Sequence, residues 1–540
     1  MNFRNRFATL AGSAAALAFA GACNPDLEVT NPNAPDVARA IATPSDVRQL
    51  IGSSYNTWYL AMQGCLFAPC EPYTGIATGV MADNMTMAFG NFGARFNGQE
   101  PRLAYNNSSS AADGLVASGA WDGMYSALGA ANDGLGAINR GIRVATGLSA
   151  PDETEQFKAF AHMVQGLSIG YVALVFDKGF VVKETTEQGT AELVSYQEVN
   201  AAAVESLDST IAAATGKTWS IPAEFTPGVT LTADRLARMA NTMAARQLAY
   251  VPRTSAENKA VDWARVLAYA EKGISTGATP FPLQIQGDFN LWFDITKGYT
   301  QRAGSWVRLD QRVVQLADPS QPVVWTSADG SAPPFPSIAD LRFAHGTPDA
   351  AGNITQPGAD FHFFAVVPFA LARGVYFYSQ WAPVRYFEHS WSAPAPFTTV
   401  VPYVLAAEND LLIAEGLVRT NGDKARAAAL INKTRVGRGG LTPLSGASSS
   451  NDLLGAIFYE RDVELFDTAA GQAWFDRRRI DLDITYNGVP IGNTWAFRGG
   501  SNLQKGTPRS LPVPAKELET LAMPVYTFGG AAPNPVFPET

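Results

Sequence analysis

The stretch VLAAENDLLIAEGLVRTNGDKARAAALINKTR, residues 404–435, decides the fold. Val404, Ala407, Leu411, Ala414 and Val418 recur at alternating spacings of three and four, which predicts one apolar helix face. Asn421-Gly422-Asp423 then offers a turn and an N-cap, and Ala427, Leu430, Ile431 and Thr434 form a second stripe. Two amphipathic helices joined by so short a turn pack against each other. The result is a helical hairpin of the tetratricopeptide kind, although no strict repeat of about 34 residues is visible.

The same pattern extends upstream. Phe157, Phe160, Val164, Leu167, Tyr171 and Leu174 share a helix face, and similar stretches run over 121–138, 196–213, 231–250 and 261–274. These predict paired helices and a mainly α scaffold over about 45–277 and 400–480. Between 278 and 400 Pro, Gly, Asp and aromatic residues dominate and helical spacing is lost. An irregular stretch of that length usually builds a binding surface, so it is the expected ligand-binding region. With a C-terminal segment at 481–540, residues 45–540 read as a single domain with large loop insertions.

The N-terminus reads as an export signal: Arg4 and Arg6, an apolar run from Phe7 to Ala20, small residues, then Cys23. The run is shorter than the roughly 20 residues of a spanning helix. Residues 1–22 are therefore expected to be a lipoprotein-type signal peptide, Cys23 the lipidated first residue, and 23–44, rich in Pro, Asn and Asp, an extended tether. A plain signal peptide is the competing reading. Cys65 and Cys70 sit five apart and, outside the cytoplasm, are expected to form a disulfide; no His or second Cys pair beside them completes a zinc site. The formal net charge is −9, and −11 once Arg4 and Arg6 are removed, which argues against nucleic acid as a partner.

Longer motifs carry a resemblance. Leu411-Leu412-Ile413-Ala414-Glu415-Gly416, Ala429-Leu430-Ile431-Asn432-Lys433-Thr434-Arg435, Glu460-Arg461, Glu464-Leu465, Gly471 and Trp474-Phe475-Asp476-Arg477-Arg478-Arg479 resemble the C-terminal core of SusD/RagB proteins. Leu511-Pro512-Val513-Pro514-Ala515-Lys516-Glu517-Leu518 resembles that family's closing segment, and Cys23 with Leu27-Glu28-Val29-Thr30-Asn31-Pro32 its mature N-terminus. Phe466-Asp467-Thr468-Ala469-Ala470 departs from the small and acidic residues usual before Gly471. The resemblance implies a tetratricopeptide-like fold with large loop insertions and a lipid-anchored location on the outer membrane facing outward. It also implies a SusC-like TonB-dependent transporter as partner, to which a captured nutrient is delivered.

Glu460 and Glu464 share a helix face and Asp476 follows, but Arg461, Arg477, Arg478 and Arg479 can pair them, so a structural role is expected. Trp474, Phe475, Trp121 and Trp263 are assigned to the core. No catalytic motif stands: Gly273-Ile274-Ser275-Thr276-Gly277 lacks the strand-turn-helix context of a nucleophile elbow, and the phosphate-loop glycine expected five residues before Gly216 is Ile211. His162, His345, His362 and His389 show no metal-site spacing. The reading is therefore not an enzyme, with no cofactor and no metal. Flat rings stack on sugar C–H faces while neighbouring polar groups fix hydroxyls. Asn84, Phe89, Phe92 and Arg95 in one cluster, and Trp292, Tyr299, Trp306, Trp381 and Tyr386 in a second, are the candidate ligand-binding residues. An oligosaccharide or glycan is the leading ligand; a peptide or other polymer fragment, or a surface lipoprotein hydrolase, are the alternatives.

Overall fold

Helix α1 (Pro44–Gln63) starts where Thr43 and Asp46 close a capping box, each side chain accepting from the other's backbone N–H. The structure, a computed structural model, describes residues 41–64, 74–87, 97–98, 102–111, 114–187, 189–300, 307–322, 335–367, 378–390, 392–481, 483–490 and 503–530. The signal segment, Cys23 and the Cys65–Cys70 pair lie outside the described residues. After α1 come α2 (Thr74–Met81), α3 (Leu115–Asn139), α4 (Thr154–Val175), α5 (Tyr196–Ala214), α6 (Ala233–Tyr250), α7 (Ser255–Lys259) and α8 (Trp263–Ala270). The predicted stripe on α4 is buried along its length, Phe157, Phe160, Val164, Leu167, Tyr171 and Leu174 all lying in the core.

Each helix packs on the next: α1 on α3, α3 on α4, α4 on α5, α5 on α6 and α6 on α8. The α1–α3 approach is close enough that a side chain at Gly123 would collide with Ala61. The C-terminal hairpin continues the array through α11 (Ala406–Arg419), which packs on α8, and α12 (Lys424–Arg435), which packs on α11. Asn421 turns the chain at a positive φ of 54°, and Asp423 caps α12 by accepting from Arg426 N–H at 3.0 Å. The chain closes with α13 (Ser450–Val463), α14 (Gln472–Arg477) and α15 (Ala515–Thr520).

The intervening region is less irregular than its composition suggests. It holds α9 (Ile295–Thr300) and α10 (Gln311–Ala317), and it contributes to three of the five antiparallel strand pairs among the described residues. Strand β1 (Met85–Met87) pairs with β5 (Val307–Leu309), β4 (Leu283–Gln286) with β8 (Val400–Val404), and β6 (Phe361–Phe363) with β7 (Trp381–Pro383). The other two pairs are β2 (Lys178–Phe180) with β3 (Leu193–Ser195) and β9 (Thr485–Tyr486) with β10 (Val489–Pro490). Val404 pairs with Leu283 and so belongs to β8; the first member of the expected helical stripe is a strand residue. Its spacing fits the helix, but the ladder to Leu283 claims its backbone first.

Candidate functional site

The charged series of the C-terminal motif is buried and ion-paired, with Asp476 held by the expected Arg461 and Arg479 but Glu460 and Glu464 held by other arginines. Arg461 donates to Glu415 at 2.7 Å and reaches Asp476 at 3.3 Å, and Arg479 holds both oxygens of Glu415 at 2.9 and 3.0 Å. Arg477 pairs with Asp462, while Arg478 donates to the carbonyls of Arg509 and Tyr250 and lies over the Trp474 ring. Burial opposes the charge on Glu415, yet the surrounding arginines hold its carboxyl well below the usual range. Glu460 and Glu464 take their cations from elsewhere. Arg342 grips Glu460 with two N–H groups at 2.6 and 2.9 Å, and Arg385 and Arg438 donate to Glu464 at 3.1 and 2.6 Å. Arg342 and Arg385 come from the 278–400 region, so Glu460 of α13 and Glu464 just after it pin that region to the scaffold. Glu415, Glu460 and Glu464 are all buried and each is held by arginines, while burial still pushes the Glu460 carboxyl up.

The candidate ligand residues separate into groups. Phe89, Phe92, Arg95, Trp306 and the side chain of Tyr299 lie outside the described residues. Asn84 is buried at the end of α2, donating to the Asp462 carbonyl at 3.1 Å, and it ties the early chain to α13. Trp292 is 5% exposed, with its ring 5.4 Å from that of Tyr59 and 6.0 Å from that of Tyr55 on α1. Trp381 is 2% exposed in β7, edge-on to Phe343 and Phe363. Tyr386 is half-buried between the Lys297 ammonium and the Arg385 guanidinium, each 5.4 Å from its ring centre, and burial pushes its hydroxyl up to about 12. Trp292 and Trp381 are therefore buried rather than exposed: the first fills the junction between the insertion and α1, and the second packs within the insertion.

The rings that do face outward are neighbours of these. The strand pair β4–β8 delivers residues 287–293 and 397–399 to one end of the two-stranded ladder, where Gly287 N–H donates to Thr399 at 3.0 Å. A side chain at Gly287 would stand 2.5 Å from His389 Cε1, so only glycine lets the strand pass this ring. Asp288 then folds the tip: its Oδ1 accepts N–H groups from Asn290 at 2.7 Å and Leu291 at 2.5 Å. The Asn56 amide of α1 donates to the Leu291 carbonyl. This tight tip sends Trp292 inward and leaves Phe289 42% and Leu291 60% exposed. Phe387, on the turn Phe387–His389, is 37% exposed.

Beneath Phe289 lies an aromatic floor. Phe293 and Phe397 are 4.6 Å apart, His389 sits 5.4 Å from Phe397, and Phe289 rests 5.7 Å from Phe397. His389 Nε2 accepts the Asp294 N–H at 3.3 Å, and burial lowers this imidazole to about 4, against the pull of Asp294, so it is neutral at pH 7. The buried ion pair Lys297–Asp294, 2.7 Å, anchors the start of α9 behind it. Ring type alone does not single out Phe289 and Leu291; the signal is the Gly287-Asp288 turn just ahead of them.

A separate small cleft between α2 and the turn at Leu465–Ala473 is lined by Gln63, Asn84, Thr296, Asp467 and Gln472. At about 20 Å³ it has room for about one water and is too small for a sugar ring. Ahead of that turn's end, Phe466 packs edge-on to Phe361, and Tyr171 donates to Ala470 at 2.9 Å, which is how the unusual residues before Gly471 are accommodated. Among the described residues no group of three or more His, Cys, Asp or Glu side chains could hold a metal, and no helix is long and apolar enough to cross a membrane.

No protein-family model and no curated protein matches the chain. Solved structures do. A SusD superfamily protein from Parabacteroides distasonis aligns with a TM-score of 0.59 at 14% identity, over 88% of this chain and 96% of its own. One from Bacteroides vulgatus gives 0.56 at 15% identity over 88% and 97%. A structure described as a SusD-like carbohydrate binding protein, also from Bacteroides vulgatus, gives 0.51 at 14% identity over 85% and 86%. With a stacked helical array, a long insertion between its helical parts and near-complete alignment on these structures, the chain has the fold of the SusD superfamily.

Proposed function

We propose that this chain is a SusD/RagB-type surface protein that captures a glycan and delivers it to a SusC-like TonB-dependent transporter. In this reading it is held on the outer membrane by a lipid on Cys23 and carries out no catalysis. The observation that carries it is the SusD fold joined to an exposed apolar tip, Phe289 and Leu291, on an insertion outside the helical scaffold. The match to a structure described as a carbohydrate binding protein supports the ligand class. The motif carboxylates Glu415, Glu460, Glu464 and Asp476 are all engaged by arginines, which favours binding over hydrolysis.

The membrane half is tested by fractionation with a labelled fatty acid. Label and membrane retention are expected in the wild type, and both should be lost in Cys23→Ala; an unlabelled wild type that stays membrane-bound overturns the anchor. The proposed Cys65–Cys70 disulfide is read by mass spectrometry of unreduced peptides, where two free thiols would refute it. For the ligand half, retention of the full chain on immobilised polysaccharide without shortening of the polymer is expected. Polymer cleavage by the pure protein would instead favour a hydrolase.

A further inference from the structure

The exposed tip takes its direction from a residue outside it. Both backbone groups of Leu291 are held, and by different parts of the molecule: its N–H donates to Asp288 Oδ1 at 2.5 Å within the turn, and its carbonyl accepts the Asn56 amide N–H from α1. To either side of that bond, α1 supports the base of the tip. The Tyr55 and Tyr59 rings pack on Trp292, and the Tyr55 hydroxyl meets that of Tyr403 on β8, the strand paired with β4 from which the tip springs. The Asp288 turn thus sets the local fold of the tip, while α1 sets how that fold is aimed.

Asn56 is an expensive choice where it stands. It lies in the interior of α1, where asparagine is a poor helix former and alanine the best. Tyr55 and Tyr59 are buried and serve the core wherever the tip points, whereas Asn56 is only partly buried and its amide is given to the backbone of a displayed residue. Without that donor the Leu291 carbonyl turns to water, and the side chain that leaves the same residue turns with it. Resting on the glycan-capture reading, we infer that Asn56 is a positioning residue of the ligand site, acting through the Leu291 carbonyl to hold Phe289 and Leu291 in the orientation that meets a sugar face.

The test is affinity electrophoresis of the full chain in gels containing glucan, xylan, mannan, fructan, polygalacturonate or chondroitin sulfate, beside thermal unfolding of the same variants. In the gel that retards the wild type most, Asn56→Ala should weaken binding roughly three- to tenfold. Its Tm should stay level or rise slightly, because alanine favours the helix. Phe289→Ala/Leu291→Ala should weaken binding about tenfold or more, and adding Asn56→Ala to that pair should weaken it no further. A residue that only stabilises α1 would lower Tm and affinity together; that result overturns the inference, as does full retardation of Asn56→Ala or an additive loss in the triple variant, and each leaves glycan capture standing. Retardation untouched by the double variant removes the tip as the site and the positioning role with it. If none of these polymers retards the wild type, the glycan reading itself fails, and the inference with it.

Discussion

The helical array and the 278–404 insertion use aromatic and charged residues in opposite ways. In the array, apolar stripes such as Phe157 to Leu174 on α4 face neighbouring helices. Charged groups enter only as closed clusters, with Glu415 held by Arg461, Arg479 and Arg419. Among the described residues of the insertion no stripe exists; one indole, Trp292, plugs it into the scaffold, and Arg342 and Arg385 fasten it to Glu460 and Glu464 at the end of α13. Periodic packing needs no long-range partners, whereas an aperiodic segment is held by a few anchors far apart in sequence. Its remaining surface is thereby free to carry apolar groups outward.

Breaking the clusters sharpens that contrast most. Arg461→Ala leaves Glu415 and Asp476 short of a cation in a fully buried setting, a loss on the order of 3–5 kcal/mol that denaturant titration reads as a large drop in midpoint. Trp292→Ala removes an insertion anchor and opens a cavity against Tyr55 and Tyr59, costing roughly 3 kcal/mol. Protease cleavage in the insertion should accelerate in that variant while the helical array stays protected; uniform cleavage would show that the two regions unfold together.

A pH effect of about the same size or smaller comes from His389. Its folded-state value lies near 4, below the ordinary 6.5, so between those values the unfolded chain binds the proton and the folded chain does not. Stability therefore falls as pH drops from about 6.5 to about 4, by up to roughly 3 kcal/mol, and this term changes no further below that window. His389→Gln, which keeps an acceptor for Asp294 N–H, should flatten the curve relative to the wild type; parallel curves would show that the imidazole stays unprotonated in both states or titrates alike in both. The smallest effect on stability is expected at the surface. Phe289→Ala, which loses the ring contacts with Phe293 and Phe397, should cost about 1 kcal/mol, well below Trp292→Ala three residues away.

The array was legible because a helix announces its buried face within a few turns. The α4 stripe, the α11–α12 hairpin and the Asp423 cap were all readable from neighbours in sequence. The insertion was not, for two physical reasons. Glu460 and Glu464 were visibly in need of cations, but Arg342 and Arg385 lie 118 and 79 residues away from the groups they bind, so adjacent arginines looked like the natural partners. Phe289 and Trp292 have similar hydrophobic content, and only the Asp288 turn decides which points outward. Tryptophan, with the larger area to bury, goes inside and the smaller side chains remain out.

The Asp288 turn also makes the tip a replaceable cassette. Its backbone is satisfied by Asp288 itself, by Asn56 and by the Gly287–Thr399 contact, none of which involves the side chains of Phe289, Asn290 or Leu291. Asn290 and Leu291 can thus be rewritten with the frame left in place, while Phe289 also packs on Phe293 and Phe397. A library randomised at 290 and 291 would be a direct route to new ligand preferences on an unchanged scaffold.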